Sequence, residues 1–227
     1  MAGAATARIR CDSSHERMLR SRGYAMVAGI DEAGRGSLFG PVFAAAVILS
    51  PDHPIRGLRD SKQLAAGKRE VLAEQIRLFA LAWAVASAEA EEIDQINILQ
   101  ASRLAMKRAV ERLAVRPDFL LIDAVSVDLP IPQDGLVKGD CRCRSIAAAS
   151  ILAKVHRDAC MDEWDAVYPQ YGFRAGKGYP TPEHVQALEA FGPTPMHRFT
   201  FGPVRRFRFG DQMKLPLCST EAAGQCR

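Results

Sequence analysis

The feature that most constrains this chain is the segment Ala28-Gly-Ile-Asp31-Glu32-Ala-Gly34-Arg35-Gly36-Ser-Leu-Phe-Gly40-Pro41. Apolar runs bracket it, Met26 to Ile30 before and Val42-Phe-Ala-Ala-Ala-Val-Ile-Leu49 after. Both read as buried strands, so the chain forms strand, glycine-rich turn and strand, with two acids where the first strand ends. Carboxylates held together in such a place resist joint ionisation unless a cation neutralises them. A hard divalent ion is the natural one, since Mg²⁺ takes oxygen ligands from a few carboxylates plus substrate phosphate. The glycines let backbone N–H groups come close to a ligand, and Arg35 adds a fork of donors suited to phosphate. Metal and nucleic-acid backbone are therefore expected at one place. A dinucleotide fingerprint does not fit: Gly34, Gly36 and Gly40 give G-x-G-x-x-x-G, one residue too long, and a β-type run follows instead of a helix.

With 227 residues the chain is long enough for one well-packed domain with a small appendage. Its 48% hydrophobic and 25% charged content is that of ordinary globular protein, and no apolar run approaches the length of a membrane span. No membrane association is expected. The first residues, with Arg8, Arg10, Glu16, Arg17 and Arg20, lack the apolar centre of a secretory signal, so a cytoplasmic location is expected. A net charge of +4 is compatible with a polyanion but weak alone. Its distribution says more: Lys138, Arg142, Arg144, Lys154, Arg157, Arg174 and Lys177 crowd the middle-to-late segments. The six cysteines show no zinc spacing, Cys141-Arg-Cys143 being too tight, and free thiols are expected.

Along the chain, a polar lead-in over 1–24 carries a short helix around 14–21. Strands are expected at 25–32 and 42–49, a helix over 67–80 and a third strand over 81–90. The spacing of Ile93, Ile96, Leu104, Val110 and Leu113 predicts a long helix over 91–115, with Glu91 and Glu92 at its N-terminus. Phe119-Leu-Leu-Ile-Asp123 reads as a short buried strand ending in an acid, and 129–135 as a loop. A second long helix is expected over 145–167, a glycine-rich loop over 172–181, a short helix over 182–191 and a loose tail over 211–227. Strands that follow one another without helices make the sheet of this α/β chain mixed.

Asp31, Glu32 and Asp123 stand at strand ends, and Asp140 follows Lys138-Gly139 at the entry to the second long helix. Ligands collect at the carboxyl ends of strands in α/β sheets, so these acids converge if the strands of Asp31 and Asp123 are neighbours. Four carboxylates around one point would hold two Mg²⁺ or Mn²⁺ ions, which serve in-line phosphoryl displacement. Taken singly, Asp123 reads equally well as a turn cap and Asp140 as a helix N-cap. Gly172-Phe-Arg-Ala-Gly176-Lys177 is not a P-loop, being one residue short and followed by Gly178 where Ser or Thr is needed.

These segments resemble the type 2 ribonuclease H family, the bacterial ribonucleases HII. The resemblance runs in order from about 25 to 204, through 28–36, Gly57-Leu-Arg-Asp-Ser-Lys62, 92–99, Leu121-Ile-Asp123, Val137-Lys-Gly-Asp140, 146–154, Arg157-Asp158, Tyr168-Pro-Gln-Tyr-Gly172, Lys177-Gly-Tyr-Pro-Thr181, His197-Arg198 and Phe201-Gly-Pro-Val204. It implies an α/β ribonuclease H-like fold: a central mixed β-sheet flanked by helices, with a small helical C-terminal appendage, in a catalytic domain over 25–210. Asp31, Glu32, Asp123 and Asp140 match the family's catalytic, metal-binding carboxylates, loaded with Mn²⁺ or Mg²⁺. Gly34, Arg35 and Gly36 match the motif that contacts the ribonucleotide, whose 2′-OH distinguishes RNA from DNA. Tyr179 matches the tyrosine packing on the deoxyribose that follows, and Lys62 and Lys154 lie in matching motifs as phosphate contacts.

The implied reaction is hydrolysis of RNA in RNA–DNA hybrids and on the 5′ side of single ribonucleotides in duplex DNA, leaving 3′-OH and 5′-phosphate ends, by a monomer. Two rivals are the sister type 3 ribonuclease H, whose extra N-terminal substrate-binding domain has no counterpart here, and a hybrid-binding protein without catalysis. The latter is expected to lack a carboxylate, and none is lacking. Asp158, one turn after Lys154, is expected in a structural ion pair. Two departures from the family pattern stand near the site. Ser37 replaces a common proline after the Gly-Arg-Gly turn, which is expected only to loosen it. Cys141 replaces a frequent serine beside Asp140, with Cys143 close by, and Asp140 is expected to stay undisturbed by oxidation or soft metals there.

Overall fold

Strand burial explains the architecture. In the computed structural model, which describes residues 11–208, every residue from Val42 to Ile48 is buried, as a strand covered on both faces requires. The elements in order are α1 (Ser14–Ser21), β1 (Val27–Ala33), β2 (Val42–Leu49), α2 (Ala66–Phe79), β3 (Ala80–Ala88), α3 (Ala90–Glu111), β4 (Phe119–Asp123), β5 (Gln133–Leu136), α4 (Arg144–Val167), α5 (Phe173–Gly176), α6 (Pro182–Phe191) and α7 (Gly202–Arg205). One five-stranded sheet runs in the order β3-β2-β1-β4-β5. β1 pairs antiparallel with β2 and parallel with β4, so the sheet is mixed, as expected.

Alternation along the strands sorts side chains between two cores. Ala28, Ile30, Ala44, Ala46, Leu120 and Ile122 pack with Ala101, Ala105 and Met106 of α3. Ala45 and Val47 face the other way, with Leu72 and Ile76 of α2 and Ile151 and Leu152 of α4. Gly29 is what lets α4 lie so close: a Cβ there would collide with the backbone of Ser145 and Ile146. Asp31, in phase with Gly29, and Asp123, in phase with Leu121, are therefore both on the α4 side of the sheet. The C-terminal appendage packs Tyr171, Phe173, Leu188 and Val204 against Phe39 and Met161.

Three local expectations are corrected. The segment 129–135 is not all loop, because Gln133–Leu136 pairs parallel with β4 as an edge strand. α3 breaks at Asn97, whose φ is +67°; its Oδ1 accepts from the N–H groups of Leu99 (3.0 Å) and Gln100 (3.1 Å), capping the second half. The glycine-rich stretch contains the short helix α5. The tail expected over 211–227 lies outside the described residues.

Candidate active site

The parallel pairing of β1 with β4 sets Ile30 opposite Ile122, so Asp31 and Asp123 leave neighbouring strands at the same level. Asp31 is buried, with 5% of its surface exposed. Burial, the charge of Glu32 and that of Asp123 together push its carboxyl well above the usual range, against a hydrogen bond from Ser150 of α4. Glu32 is also raised, by burial, against the opposing pull of Arg35, whose Nη1 is 3.3 Å from Glu32 Oε1. Glu32 N–H donates to Asp31 Oδ1 at 2.7 Å, fixing one carboxylate oxygen at the strand end.

Asp140 is brought in by a backbone device. Gly139 N–H donates to Asp123 Oδ1 at 2.8 Å, which ties the 3-10 turn Gly139–Cys141 to the end of β4. Cys143 occupies the N-cap of α4, so the N-cap reading of Asp140 fails. Burial, Asp60 and Asp123 raise its carboxyl. Asp60 is a fifth acid: its ligand atom and those of Asp140 and Cys141 all lie within 4.8 Å of one another. It also caps the turn Ser61–Gln63, accepting from Lys62 N–H at 2.9 Å. Its signal in the sequence is the Asp60-Ser61-Lys62 run, of which the resemblance singles out only the lysine. Lys62 answers this negative field: burial opposes its charge, but Asp60, Asp31 and Asp140 raise its ammonium above the ordinary lysine value.

The turn and the tyrosine meet. A Cβ on Gly36 would lie 3.9 Å from Tyr179 Cε1, and Arg35 projects into solvent with 44% of its side chain exposed. Lys154 Nζ is 5.8 Å from the centre of the Tyr179 ring and 2.6 Å from Asp158 Oδ1. Asp158 also takes Arg69 at 3.4 Å, so it is the ion pair expected of it. In the metal-free protein burial and the charges of Asp140 and Asp60 push the Cys141 thiol up to about 11, which makes it a slow nucleophile.

The donor set suits a hard divalent cation. Clustered carboxylates with raised proton affinity lack a compensating charge of their own strength, and oxygen ligands with one neutral thiol favour Mg²⁺ or Mn²⁺ over soft metals.

Comparison with known proteins gives the family and the fold. The family model described as Ribonuclease HII matches residues 28–204. The Ribonuclease HII of Solibacter usitatus (strain Ellin6076) is 57% identical over 219 residues, 95% of this chain and 96% of that one. Among solved structures, ribonuclease H2 from Pyrococcus horikoshii OT3 is similar at a TM-score of 0.68 and 27% identity, over 82% of this chain and 100% of the other. The RNase HII of Archaeoglobus fulgidus, solved as a complex with PCNA, is similar at 0.67 and 26%, over 86% and 98%. A five-stranded mixed sheet, acids at the ends of two parallel neighbours and a match over most of the chain lead to one conclusion: this chain belongs to the ribonuclease HII family.

Proposed function

We propose that the protein, a ribonuclease H acting on RNA–DNA hybrids, also cuts duplex DNA on the 5′ side of a single embedded ribonucleotide, leaving 3′-OH and 5′-phosphate ends. The observation that carries this reading is the side-by-side placement of the Asp31 and Asp123 strand ends, with the Gly34–Gly36 turn against Tyr179 next to them. Asp31, Glu32, Asp123 and Asp140 are the residues that would hold two divalent ions, Mg²⁺ or Mn²⁺. When bound, such ions activate water and stabilise the leaving oxygen of an in-line displacement. The protein's own groups do the rest. Gly34, Arg35 and Gly36 offer backbone N–H groups and a guanidinium to the ribonucleotide, whose 2′-OH is the group that separates it from a deoxyribonucleotide. Tyr179 packs on the next sugar, where a deoxyribose leaves it room. Lys62 and Lys154 neutralise flanking phosphates, a term that weakens with salt.

We propose further that the enzyme acts as a monomer in the cytoplasm. Among the described residues no helix is long and apolar enough to cross a membrane. The test is an end-labelled DNA duplex containing one ribonucleotide, incubated with the protein and Mg²⁺ or Mn²⁺. A single cut 5′ to the ribonucleotide, blocked by a chelator, is expected. Binding of the duplex with no cut under any divalent ion would contradict the reading and leave the hybrid-binding protein in its place.

A further inference from the structure

Ser37 does not loosen the turn that it ends. It is fully buried, and its Oγ lies 2.8 Å from the carbonyl of Gly178, 2.9 Å from that of Phe39 and 2.7 Å from Arg157 Nη2. A hydroxyl has one proton and two lone pairs, so it accepts from the arginine and donates to a carbonyl at once. Leu38 N–H also donates to the Gly178 carbonyl at 2.8 Å, so two bonds fasten the turn to the residue just before Tyr179.

Arg157 completes the connection. It is fully buried on α4, and a Cβ on Gly34 would collide with its Nε. Its Cζ is 5.2 Å from the centre of the Tyr179 ring. Among the described residues no carboxylate forms an ion pair with it: Asp158 is taken by Lys154 and Arg69, and the Nε and Nη1 of Arg157 have no hydrogen-bond partner. A buried cation with only the more distant charge of Asp158 to balance it is costly, and it is retained here between a glycine of the turn, the Ser37 hydroxyl and an aromatic face.

We propose that Ser37 and Arg157 are positioning residues that fix the distance between the Gly34–Gly36 turn and the Tyr179 ring, and thereby set how strongly the enzyme prefers an RNA–DNA junction to a continuous hybrid. This rests on the reading above, in which the turn senses the 2′-OH and Tyr179 senses the sugar after it. Arg157 is the spacer, and Ser37 holds the spacer and the tyrosine loop in one register. Neither touches the reacting phosphate. Ser37→Ala leaves Arg157 Nη2 only the Met161 thioether at 3.7 Å and removes one of the two fastenings to Gly178, so the ring and the turn drift apart while the carboxylates stay in place.

The experiment measures kcat/KM for Ser37→Ala, Arg157→Lys, Tyr179→Ala and the double variant Ser37→Ala/Tyr179→Ala. Each is assayed on a duplex with one ribonucleotide and on a uniform hybrid of the same length. Ser37→Ala is expected to lower the single-ribonucleotide to hybrid ratio about tenfold, the loss of one hydrogen bond to a charged group. Its hybrid rate should stay within about twofold of wild type on the same argument. Arg157→Lys, which keeps the charge and loses the planar fork, is expected to fall between wild type and Ser37→Ala in that ratio. In the Tyr179→Ala background Ser37→Ala should change the ratio no further, because the two act through one contact. Equal losses on both substrates that track melting temperature, or ratio effects that multiply in the double variant, would overturn the proposal. A wild-type enzyme with no preference for the single ribonucleotide would overturn the underlying reading of the turn and Tyr179. Wild-type preference with an unchanged ratio in Ser37→Ala would overturn only the positioning role.

Discussion

Asp31 concentrates the conflict on which the site is built. Burial and two neighbouring carboxylates raise its proton affinity, so its ionised form is unfavourable in the folded, metal-free protein. The stability carried by the protonated form is complete below the unfolded aspartate value of about 3.9 and is lost as pH rises through the raised folded value. Asp31→Asn in chelator at pH 8 should therefore raise the melting temperature, by about 3 °C, while abolishing cleavage. A differential-scanning trace showing a lower melting temperature would mean that Asp31 is held by contacts and not opposed by charge. Gly34 makes the converse point. With φ at +97° and Arg157 Nε where a Cβ would sit, Gly34→Ala should cost on the order of 3 kcal/mol in urea unfolding. Asp31, Glu32 and Asp123 were legible because an acid at the end of an apolar strand is conspicuous, whereas Asp140, in a turn, was singled out by its place before a helix and by the family resemblance. Asp60, Ser37 and Arg157 were not, because their roles arise from contacts across long stretches of chain: Ser37 and Arg157 are 120 residues apart.

Elements with strong local signals were legible almost to the residue: the buried strands Val42–Leu49 and Phe119–Asp123, and the helix Pro182–Phe191 behind its Thr181 cap. β5 was hidden because Gln133-Asp-Gly-Leu136 is polar and follows Pro132; its pairing is supplied by β4 and not by its own composition. The break in α3 was hidden because Asn97 is compatible with a helix until its side chain is seen capping the next turn. The free edge at β3 is covered by arginines, with Arg112 and Arg108 donating to the carbonyls of Val85 (3.3 Å) and Ser87 (3.0 Å). The packing of β1 on α4 is the joint on which Asp31 and Asp140 both depend. Gly29→Ala, which drives a methyl into the Ser145 backbone, should destabilise by about 4 kcal/mol or more and be recovered mainly as insoluble protein. A soluble variant with wild-type melting would show that α4 can move away without cost.

Across the whole molecule, the appendage is joined to the tyrosine loop by a chain of neutral histidines. Thr194 N–H donates to His197 Nδ1 at 2.9 Å, so the His197 proton is on Nε2 and is donated to His184 Nε2 at 3.0 Å, and His184 Nδ1–H donates to the Tyr179 carbonyl at 2.9 Å. Burial and the neighbouring His184 hold His197 down to about 3. Its neutral form is the folded one, so this stability is present above the unfolded histidine value of about 6.5 and is lost as pH falls towards 3. Urea midpoints should therefore drop between pH 7 and 5, and His197→Phe should flatten that dependence while lowering stability at pH 7 by about 2 kcal/mol. An equally steep pH dependence in the variant would assign the effect to other groups.

We propose that hydrolysis runs through the acids at the ends of two neighbouring strands. Asp123→Asn tests it best, because the amide keeps the shape of the side chain and an acceptor for Gly139 N–H while removing the charge. The measurement is single-turnover cleavage of a duplex with one ribonucleotide, in saturating Mg²⁺, by wild type and Asp123→Asn side by side. A fall of about a thousandfold or more, with the duplex still bound, is predicted. A variant cutting within about tenfold of wild type would contradict the account, because hydrolysis would then not run through the paired strand ends.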